Sequence, residues 1–250
     1  MAIIFDGRAF AAQKEESLKN DVTHLKSKGI TPHLASILIG EDPASKLYVG
    51  LKKKAAERIG AELDVYFLKD KTQVSDVLHL VNSLNQDKNV HGIMIQLPLP
   101  ASLANSKLEI LNSISAEKDV DGLRSDSVFV HPTAKAVIQI INESQVKSKK
   151  ICLVGSGMVG SALAKEIKKE GFDQVFDTNE ADIVVSATGR PGVIKADSIK
   201  KGAIVIDVGS PKGDVDFENV SKKAGFITPV PGGVGPVTIS CLLENLIAAC

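Results

Sequence analysis

Short apolar runs alternate with amphipathic segments through the first half of the chain, and this alternation restricts the possible folds more than any other feature. The apolar runs, each of strand length, lie at residues 33–40, 64–68 and 91–96. Segments of helical periodicity separate them at 42–60 and 74–87. Strands that alternate with helices at this spacing predict an α/β fold with parallel strands. With 250 residues, the chain is long enough for one large or two modest domains.

Charge and cysteine content argue against several classes of protein. The 30 basic and 30 acidic residues balance, whereas nucleic-acid and anionic-membrane partners require a basic excess. Cys152, Cys241 and Cys250 are odd in number and widely separated, which fits neither a disulfide framework nor a metal site. The N-terminus does not resemble a signal peptide, and no apolar run approaches the roughly 18 residues of a spanning helix. We therefore expect a cytoplasmic protein without nucleic-acid, membrane or metal partners.

The segment from Asp42 to Gly60 is predicted to be a helix that carries three reactive side chains on one face. Asp42 followed by proline is typical of a helix start, and Gly60 of a helix end. Ser45, Tyr48 and Lys52 stand at positions i, i+3 and i+7, which form one stripe along a helix. Taken alone, this stripe is also explained by an ordinary surface helix.

Two further segments place polar side chains where α/β proteins bind ligands. In Gln96-Leu97-Pro98-Leu99-Pro100 the prolines end a predicted strand, so that Gln96 lies at the carboxyl end of the sheet. Most glutamines at such a position only satisfy nearby backbone groups. An acidic turn at 117–122 contains Asp119 and Asp121, which are also common turn formers.

The second half contains a strand, a glycine-rich loop and a helix in direct succession. The apolar run 149–154 leads into Gly155-Ser156-Gly157-Met158-Val159-Gly160, and a helix is predicted to about residue 170. In this context the glycines allow backbone N–H groups to approach a pyrophosphate at the N-terminus of the helix. The segment therefore predicts a dinucleotide-binding site.

The residues after this helix depart from an ordinary dinucleotide-binding fold. Asp177 lies 22 positions after Gly155, close to the roughly 20 expected for an acid that binds the ribose, which favours NAD over NADP. Only three residues then separate Asp177 from the next predicted strand at 181–186, whereas a parallel crossover needs about a dozen. Either 173–177 is not a normal second strand, or the adenosine side of the pocket is rebuilt. The region 171–180 is therefore expected to be shortened.

Four motifs in this order resemble the methylenetetrahydrofolate dehydrogenase/cyclohydrolase family. They are Ser45-x-x-Tyr48-x-x-x-Lys52, Gln96-Leu-Pro-Leu-Pro, Lys118-Asp-Val-Asp-Gly, and Pro229-Val-Pro-Gly-Gly-Val-Gly-Pro-Val-Thr238. The similarity covers nearly the whole chain, from Asp6-Gly7 through the terminal helix. It implies a folate enzyme that uses a nicotinamide cofactor, and a homodimer.

The resemblance implies roles for residues on the folate side. Lys52 would be the catalytic lysine, Tyr48 would position or stack on the folate ring, and Gln96 would tune Lys52. Asp121 would hold the pterin, because its carboxylate matches an amino group beside a ring N–H. For Ser45, helix capping and substrate contact are equally possible. The loop Pro231-Gly232-Gly233 has few side-chain atoms, so its backbone is expected to approach the flat substrate closely.

On the cofactor side, the resemblance points to loops that follow successive strands. The expected cofactor-binding residues are Gly155, Ser156, Gly157, Gly160, Asp177, Thr188, Gly189 and Ser210. Two departures stand out, because Ser156 replaces the usual arginine, and His131-Pro132-Thr133-Ala134 stands where the family usually has Pro-Cys-Thr-Pro. The resemblance implies NADP, whereas NAD is favoured if Asp177 meets the ribose.

These observations together predict a two-domain enzyme. A folate-binding catalytic domain is expected at 1–120 with a terminal helix at 237–250, and a Rossmann-like domain at 121–236, with a cleft between them. The expected reactions are the oxidation of methylene-tetrahydrofolate and the hydrolysis of the methenyl product to formyl-tetrahydrofolate. Two alternatives are a cyclohydrolase with weak or lost dehydrogenase activity, and a non-catalytic folate or nucleotide binder. The complete set Tyr48, Lys52, Gln96 and Asp121 argues against the binder.

Overall fold

The structure, a computed structural model, describes residues 2–250. The strands are β1 (Ile3–Ile4), β2 (His33–Ile39), β3 (Glu62–Leu68), β4 (Gly92–Ile95), β5 (Lys150–Val154), β6 (Asp173–Gln174), β7 (Ile183–Ser186), β8 (Ile204–Asp207) and β9 (Phe226–Ile227). The helices are α1 (Gly7–Ser27), α2 (Pro43–Ile59), α3 (Val74–Gln86), α4 (Lys107–Asn112), α5 (Pro132–Glu143), α6 (Met158–Lys169), α7 (Phe217–Val220) and α8 (Val234–Ala248). None of these helices is both long and apolar enough to cross a membrane.

The chain divides into two compact units. One, the six-stranded unit, contains the residues up to Ala12 together with Pro132–Cys241. The other, the three-stranded unit, contains Gln13–His131 and Leu242–Cys250.

These divisions differ from the predicted domain limits at three places. The residues up to Ala12 join the six-stranded unit because β1 pairs with β9 in that unit's sheet. Residues 121–131 stay with the three-stranded unit, and the terminal helix is divided after Cys241. Strand pairing between distant segments, which local sequence patterns do not reveal, accounts for the first difference.

The three-stranded unit is built on a parallel sheet with the strand order β3-β2-β4. The central strand β2 is buried at every position after His33, as expected for a strand covered on both faces. Among the core side chains of β2 and β4, Leu34, Ile37, Ile93 and Ile95 are almost completely inaccessible to solvent. The predicted α/β class with parallel strands is confirmed in this unit.

Helix α2 begins and ends as predicted. The Asp42 carboxylate accepts a hydrogen bond from the Ser45 backbone N–H at 2.7 Å, and Pro43 occupies the first turn. Gly60 has a φ of 83°, a left-handed conformation that ends the helix. The N-cap residue is therefore Asp42 rather than Ser45, and Ser45 contributes to the cap as the partner of the Asp42 carboxylate.

The six-stranded unit contains the second parallel sheet, with the strand order β1-β9-β8-β7-β5-β6. The buried strands β7 and β8 lie at its centre, and β5 leads directly into the glycine-rich loop and α6. One face of the sheet is covered by an apolar cluster that includes Cys152, Val184 and Val205. This arrangement is the predicted Rossmann-like architecture.

Strand β6 is reduced to two residues, Asp173 and Gln174, which pair with the beginning of β5. The following residues 175–182 cross to β7 on the other side of β5, and within this described segment the chain forms no helix. Eight residues are too few for the usual helical crossover. The second strand of an ordinary dinucleotide-binding fold is therefore almost absent.

Helix α8 begins at Val234, three residues before the terminal helix predicted at 237–250, and it includes Pro236. The proline is tolerated inside the first turn because the N–H groups there have no partner within the helix.

Candidate active site and nucleotide-binding loop

The Lys52 amine lies at the carboxyl end of β4. Its Nζ donates to Gln96 Oε1 at 2.9 Å and lies 3.6 Å from Met94 Sδ. Although part of the Lys52 stem is accessible, this amine end is buried, and burial lowers the pKa of Lys52. The negative charge of Asp121 opposes that shift of the pKa. A lysine in these surroundings becomes neutral at a lower pH than a lysine in water.

The amide of Gln96 is held in one orientation. Its Nε2 donates to the Leu97 backbone oxygen at 2.8 Å, while its Oε1 faces Lys52. The first bond identifies which end of the amide is the oxygen. Gln96 therefore satisfies a nearby backbone group, as most such glutamines do, and also binds the lysine.

Tyr48 lies one turn before Lys52 on α2 and is half-buried. The i,i+4 relation places both side chains on the same face of the helix, as the sequence predicted. Asp121 is close enough to Lys52 to act on its charge. The three-stranded unit thus brings together Tyr48, Lys52, Gln96 and Asp121.

Ser45 is buried, with 3% of its surface exposed. Among the residues that the structure describes, its Oγ has no well-aligned hydrogen-bond partner. The Ser45 side chain nevertheless faces the Asp42 carboxylate, because it lowers the pKa of Asp42. Substrate contact remains the predicted role of Ser45.

Two buried polar side chains shape the loop around Asp121: Asp119, from the predicted acidic turn, and Asn245, which the sequence analysis did not single out. The Asp119 carboxylate accepts hydrogen bonds from the backbone N–H of Leu123 at 3.3 Å and of Arg124 at 2.9 Å. Burial raises the pKa of Asp119, and these hydrogen bonds oppose that rise. Asn245, in α8, donates to backbone oxygens on both sides of this loop. A polar residue in the apolar sequence of α8 was the available signal for Asn245.

The glycine-rich loop needs two of its glycines for packing. Gly155 has a φ of 126°, and a Cβ there would lie 2.3 Å from the Ala187 backbone oxygen. A Cβ on Gly160 would lie 2.3 Å from the Gly155 backbone oxygen. Any side chain at either position would collide with backbone atoms.

Gly157 is a glycine for a different reason. Its φ of −70° suits any residue, and a Cβ there would meet no protein atom within 4 Å. The protein itself therefore does not require glycine at this position. An open space at the N-terminus of the twelve-residue helix α6 fits a pyrophosphate that approaches the backbone closely. Ser156 lies between Gly155 and Gly157 on the same loop.

Buried aspartates join the loops that follow β7 and β8. Asp214 Oδ2 accepts from Ser186 Oγ at 2.9 Å and from the Thr188 backbone N–H at 2.6 Å. Asp207 accepts from the backbone N–H groups of Gly209, Asp214 and Val215. Burial raises the pKa of Asp207. These carboxylates, which the sequence analysis missed, hold the loops that carry the predicted residues Thr188, Gly189 and Ser210.

Asp177 does not lie at the end of a strand. It comes three residues after β6 in an exposed turn, where its Oδ1 accepts from the Asn179 backbone N–H at 2.8 Å. The expected position of a ribose-binding acid, at the carboxyl end of the second strand, is therefore not reproduced.

The loop of Pro231, Gly232 and Gly233 packs against the start of α1 within the six-stranded unit. A Cβ on Gly7 would lie 1.9 Å from the Gly233 backbone oxygen. Gly232 has a φ of 103°, a conformation that favours glycine.

Within the described residues 2–250, no group of three or more His, Cys, Asp or Glu side chains could hold a metal ion.

Two family models match almost the whole chain. Residues 5–121 match the catalytic domain of tetrahydrofolate dehydrogenase/cyclohydrolase. Residues 131–250 match the NAD(P)-binding domain of the same family.

Relatives and solved structures agree with these matches. The bifunctional protein FolD of Methanosarcina barkeri is 42% identical over 271 aligned residues, which cover 98% of this chain and 94% of the relative. The alignment spans 271 positions whereas this chain has 250 residues, so the alignment includes positions at which this chain has a gap.

The crystal structure of the bifunctional FolD enzyme from Campylobacter jejuni has a TM-score of 0.93 and 38% identity, and the match covers 100% of this chain and 98% of that one. The Trypanosoma brucei enzyme, complexed with NADP cofactor and inhibitor, has a TM-score of 0.93 and 34% identity, with coverage of 99% and 97%. The chain therefore belongs to the tetrahydrofolate dehydrogenase/cyclohydrolase family.

Proposed function

We propose that this protein oxidises methylene-tetrahydrofolate to methenyl-tetrahydrofolate with NADP and hydrolyses the methenyl form to formyl-tetrahydrofolate. The observation that carries the proposal is the buried Lys52 amine, bonded to Gln96 at the carboxyl end of β4. Both family domains are matched, which supports an enzyme with both activities.

Lys52 serves the hydrolysis as a general base. Burial favours its neutral form, and a neutral amine does not repel the cationic methenyl group. While Gln96 Oε1 accepts one hydrogen from Nζ, the nitrogen lone pair remains available for a proton from water. The water oxygen bonds to the methenyl carbon and one of its protons passes to Lys52. Lys52 returns that proton to the ring nitrogen as the carbon–nitrogen bond breaks, and the remaining hydroxyl proton is released to solvent as the formyl carbonyl forms. Tyr48 stacks on or positions the folate ring.

A bound NADP would supply the hydride acceptor for the oxidation of the methylene carbon. Gly155, Gly157 and Gly160 let the loop backbone and the α6 N-terminus hold the pyrophosphate. Ser156, Thr188, Gly189 and Ser210 contribute hydroxyl or backbone N–H groups around the nucleotide. Asp177 contacts the ribose only if its turn reaches the adenosine, and in that case NAD is favoured over NADP.

The absorbance of reduced nicotinamide tests the oxidation directly. Purified protein is mixed with methylene-tetrahydrofolate and either NADP or NAD, and methenyl hydrolysis is followed in a separate assay. We expect reduction of NADP together with hydrolysis. Rapid hydrolysis without reduction of either nucleotide would contradict the dehydrogenase half of the proposal.

Asp121 is proposed to bind the donor edge of the pterin, together with contacts from Ser45 and from Pro231, Gly232 and Gly233. Asp121→Asn replaces a charged acceptor with a neutral amide of the same shape. We expect KM for methenyl-tetrahydrofolate to rise about 10- to 100-fold with a smaller change in kcat, because a charge-assisted hydrogen bond contributes roughly 1.5–3 kcal/mol. Steady-state kinetics measure this, with the exposed Asp21→Asn as control. An unchanged KM would remove Asp121 from substrate binding.

We also propose a cytoplasmic homodimer without nucleic-acid or membrane partners. The family resemblance supports the dimer, and the neutral charge supports the absence of polyanionic partners. Light scattering after size-exclusion chromatography tests the dimer, for which the expected mass is that of two 26.5 kDa chains.

A further inference from the structure

His131 lies beside the folate-side residues, and the proposed function gives it no role. It stands in the three-stranded unit directly before α5, where the resembling family usually has a proline. His131 is half-buried. A histidine at such a position introduces a group that changes its charge near neutral pH.

Asn245 brings His131 next to Asp121. With 2% of its surface exposed, Asn245 uses Nδ2 to donate to the Val120 and Val130 backbone oxygens, each at 2.9 Å. Those two residues immediately precede Asp121 and His131. The buried Asn245 side chain therefore holds the two segments together immediately before Asp121 and His131.

Gly122 shows how closely the two segments approach. It has a φ of 63°, and a Cβ there would lie 2.7 Å from the His131 backbone nitrogen and 2.9 Å from its Cα. Only glycine fits between the turn that carries Asp121 and the backbone of His131.

The charged groups that act on His131 are Asp121 and Asp119 from the preceding loop and Lys52 from α2. Helix α8 contributes the uncharged Asn245. Burial lowers the pKa of His131 and Lys52 lowers it further, whereas the two carboxylates oppose this effect. The Asp119 carboxylate is already bonded to the N–H groups of Leu123 and Arg124, which leaves Asp121 as the nearby carboxylate with a proposed role in binding.

We propose that His131 is a positioning residue that makes folate binding depend on pH through Asp121. When His131 is neutral, the Asp121 carboxylate accepts hydrogen bonds from the donor edge of the pterin. When His131 is protonated, it forms an ion pair with Asp121 and competes with the substrate. The inference rests on the proposed role of Asp121 in substrate binding.

The test measures Kd for tetrahydrofolate by calorimetry at about pH 5 and about pH 7.5, because the pKa of His131 lies below that of an ordinary histidine. Because the competing form is the protonated one, binding should weaken as the pH falls. We expect the Kd of the wild-type protein to rise about 3- to 10-fold at the lower pH. In His131→Gln the change should be less than about 2-fold beyond that of the free ligand.

Two further variants make the result specific. His79→Gln removes an exposed histidine on α3 and should keep the wild-type pH dependence, so it also reports any titration of tetrahydrofolate itself. Asp121→Asn removes the other partner and should weaken binding at both pH values while it abolishes the difference between them. This second route remains open if His131→Gln does not fold, which circular dichroism would reveal.

The outcomes separate the inference from the proposed function. A wild-type pH dependence that persists in His131→Gln, or in Asp121→Asn, would overturn the role of His131 even if both activities are present. Loss of the pH dependence in both variants of an inactive protein would support the inference and contradict the proposed activity. Failure of the wild-type protein to bind tetrahydrofolate at either pH would overturn both.

Discussion

Lys52→Met is expected to lower kcat for methenyl-tetrahydrofolate hydrolysis by about 10²- to 10⁴-fold, the usual contribution of a general base. Methionine keeps the length and the apolar stem of the side chain but has no basic nitrogen. The fold should persist, because the Nζ contacts with Gln96 and Met94 are replaced by apolar packing, and loss of a buried amine removes a desolvation cost. Absorbance of the methenyl form under steady-state conditions measures the change.

The exposed Lys53→Met on the same helix is the matched control and should retain wild-type turnover. In the wild-type protein, kcat for hydrolysis should increase as the pH rises through the lowered pKa of Lys52, because only the neutral amine accepts a proton. The residual activity of Lys52→Met should lack this rise. Turnover near the wild-type level in Lys52→Met would remove Lys52 from the mechanism.

Gly157→Val is expected to weaken NADP binding by at least about 100-fold, because the new side chain occupies the space in which the pyrophosphate meets the loop backbone. Since a Cβ at this position meets no protein atom, the variant should fold, with a loss of about 1 kcal/mol from a poorer N-cap. Fluorescence titration with NADPH measures the affinity. Hydrolysis of the methenyl form, which uses no nucleotide, should persist.

Gly155→Ala provides the contrast. There the Cβ would collide with the Ala187 backbone oxygen at a φ of 126°, so we expect a loss of more than about 2 kcal/mol in the free energy of unfolding. Thermal denaturation of both variants compares the two glycines. Equal destabilisation by both, or NADP binding unaffected by Gly157→Val, would contradict the assignment of Gly157 to the pyrophosphate.

Local signals in the sequence predicted most of the secondary structure. Asp42, Pro43 and Gly60 mark the ends of α2 because capping and φ preferences act within a few residues. The same holds for the strand, glycine-rich loop and helix around Gly157. The region 171–180 could be recognised as shortened, since chain length alone limits a crossover.

The family motifs added residues whose importance no local pattern shows. Tyr48 and Lys52 alone fit a surface helix, and the relation of Lys52 to Gln96 depends on a contact across 44 residues. The resemblance therefore identified the residues of the folate side and related Gln96 to Lys52, but the hydrogen bond between these two side chains came from the structure.

The sequence by itself determined the α/β class, the order of the elements and the identity of the predicted site residues, because these depend on periodicity, local backbone preference and recognisable motifs. Only the tertiary structure decided that Lys52 bonds to Gln96, that Gly157 is free of packing constraints, and that Asn245 joins the segments of Asp121 and His131. The domain limits were decided there too, through the pairing of β1 with β9. Each of these features depends on residues far apart in the chain, and burial gives them their energetic weight.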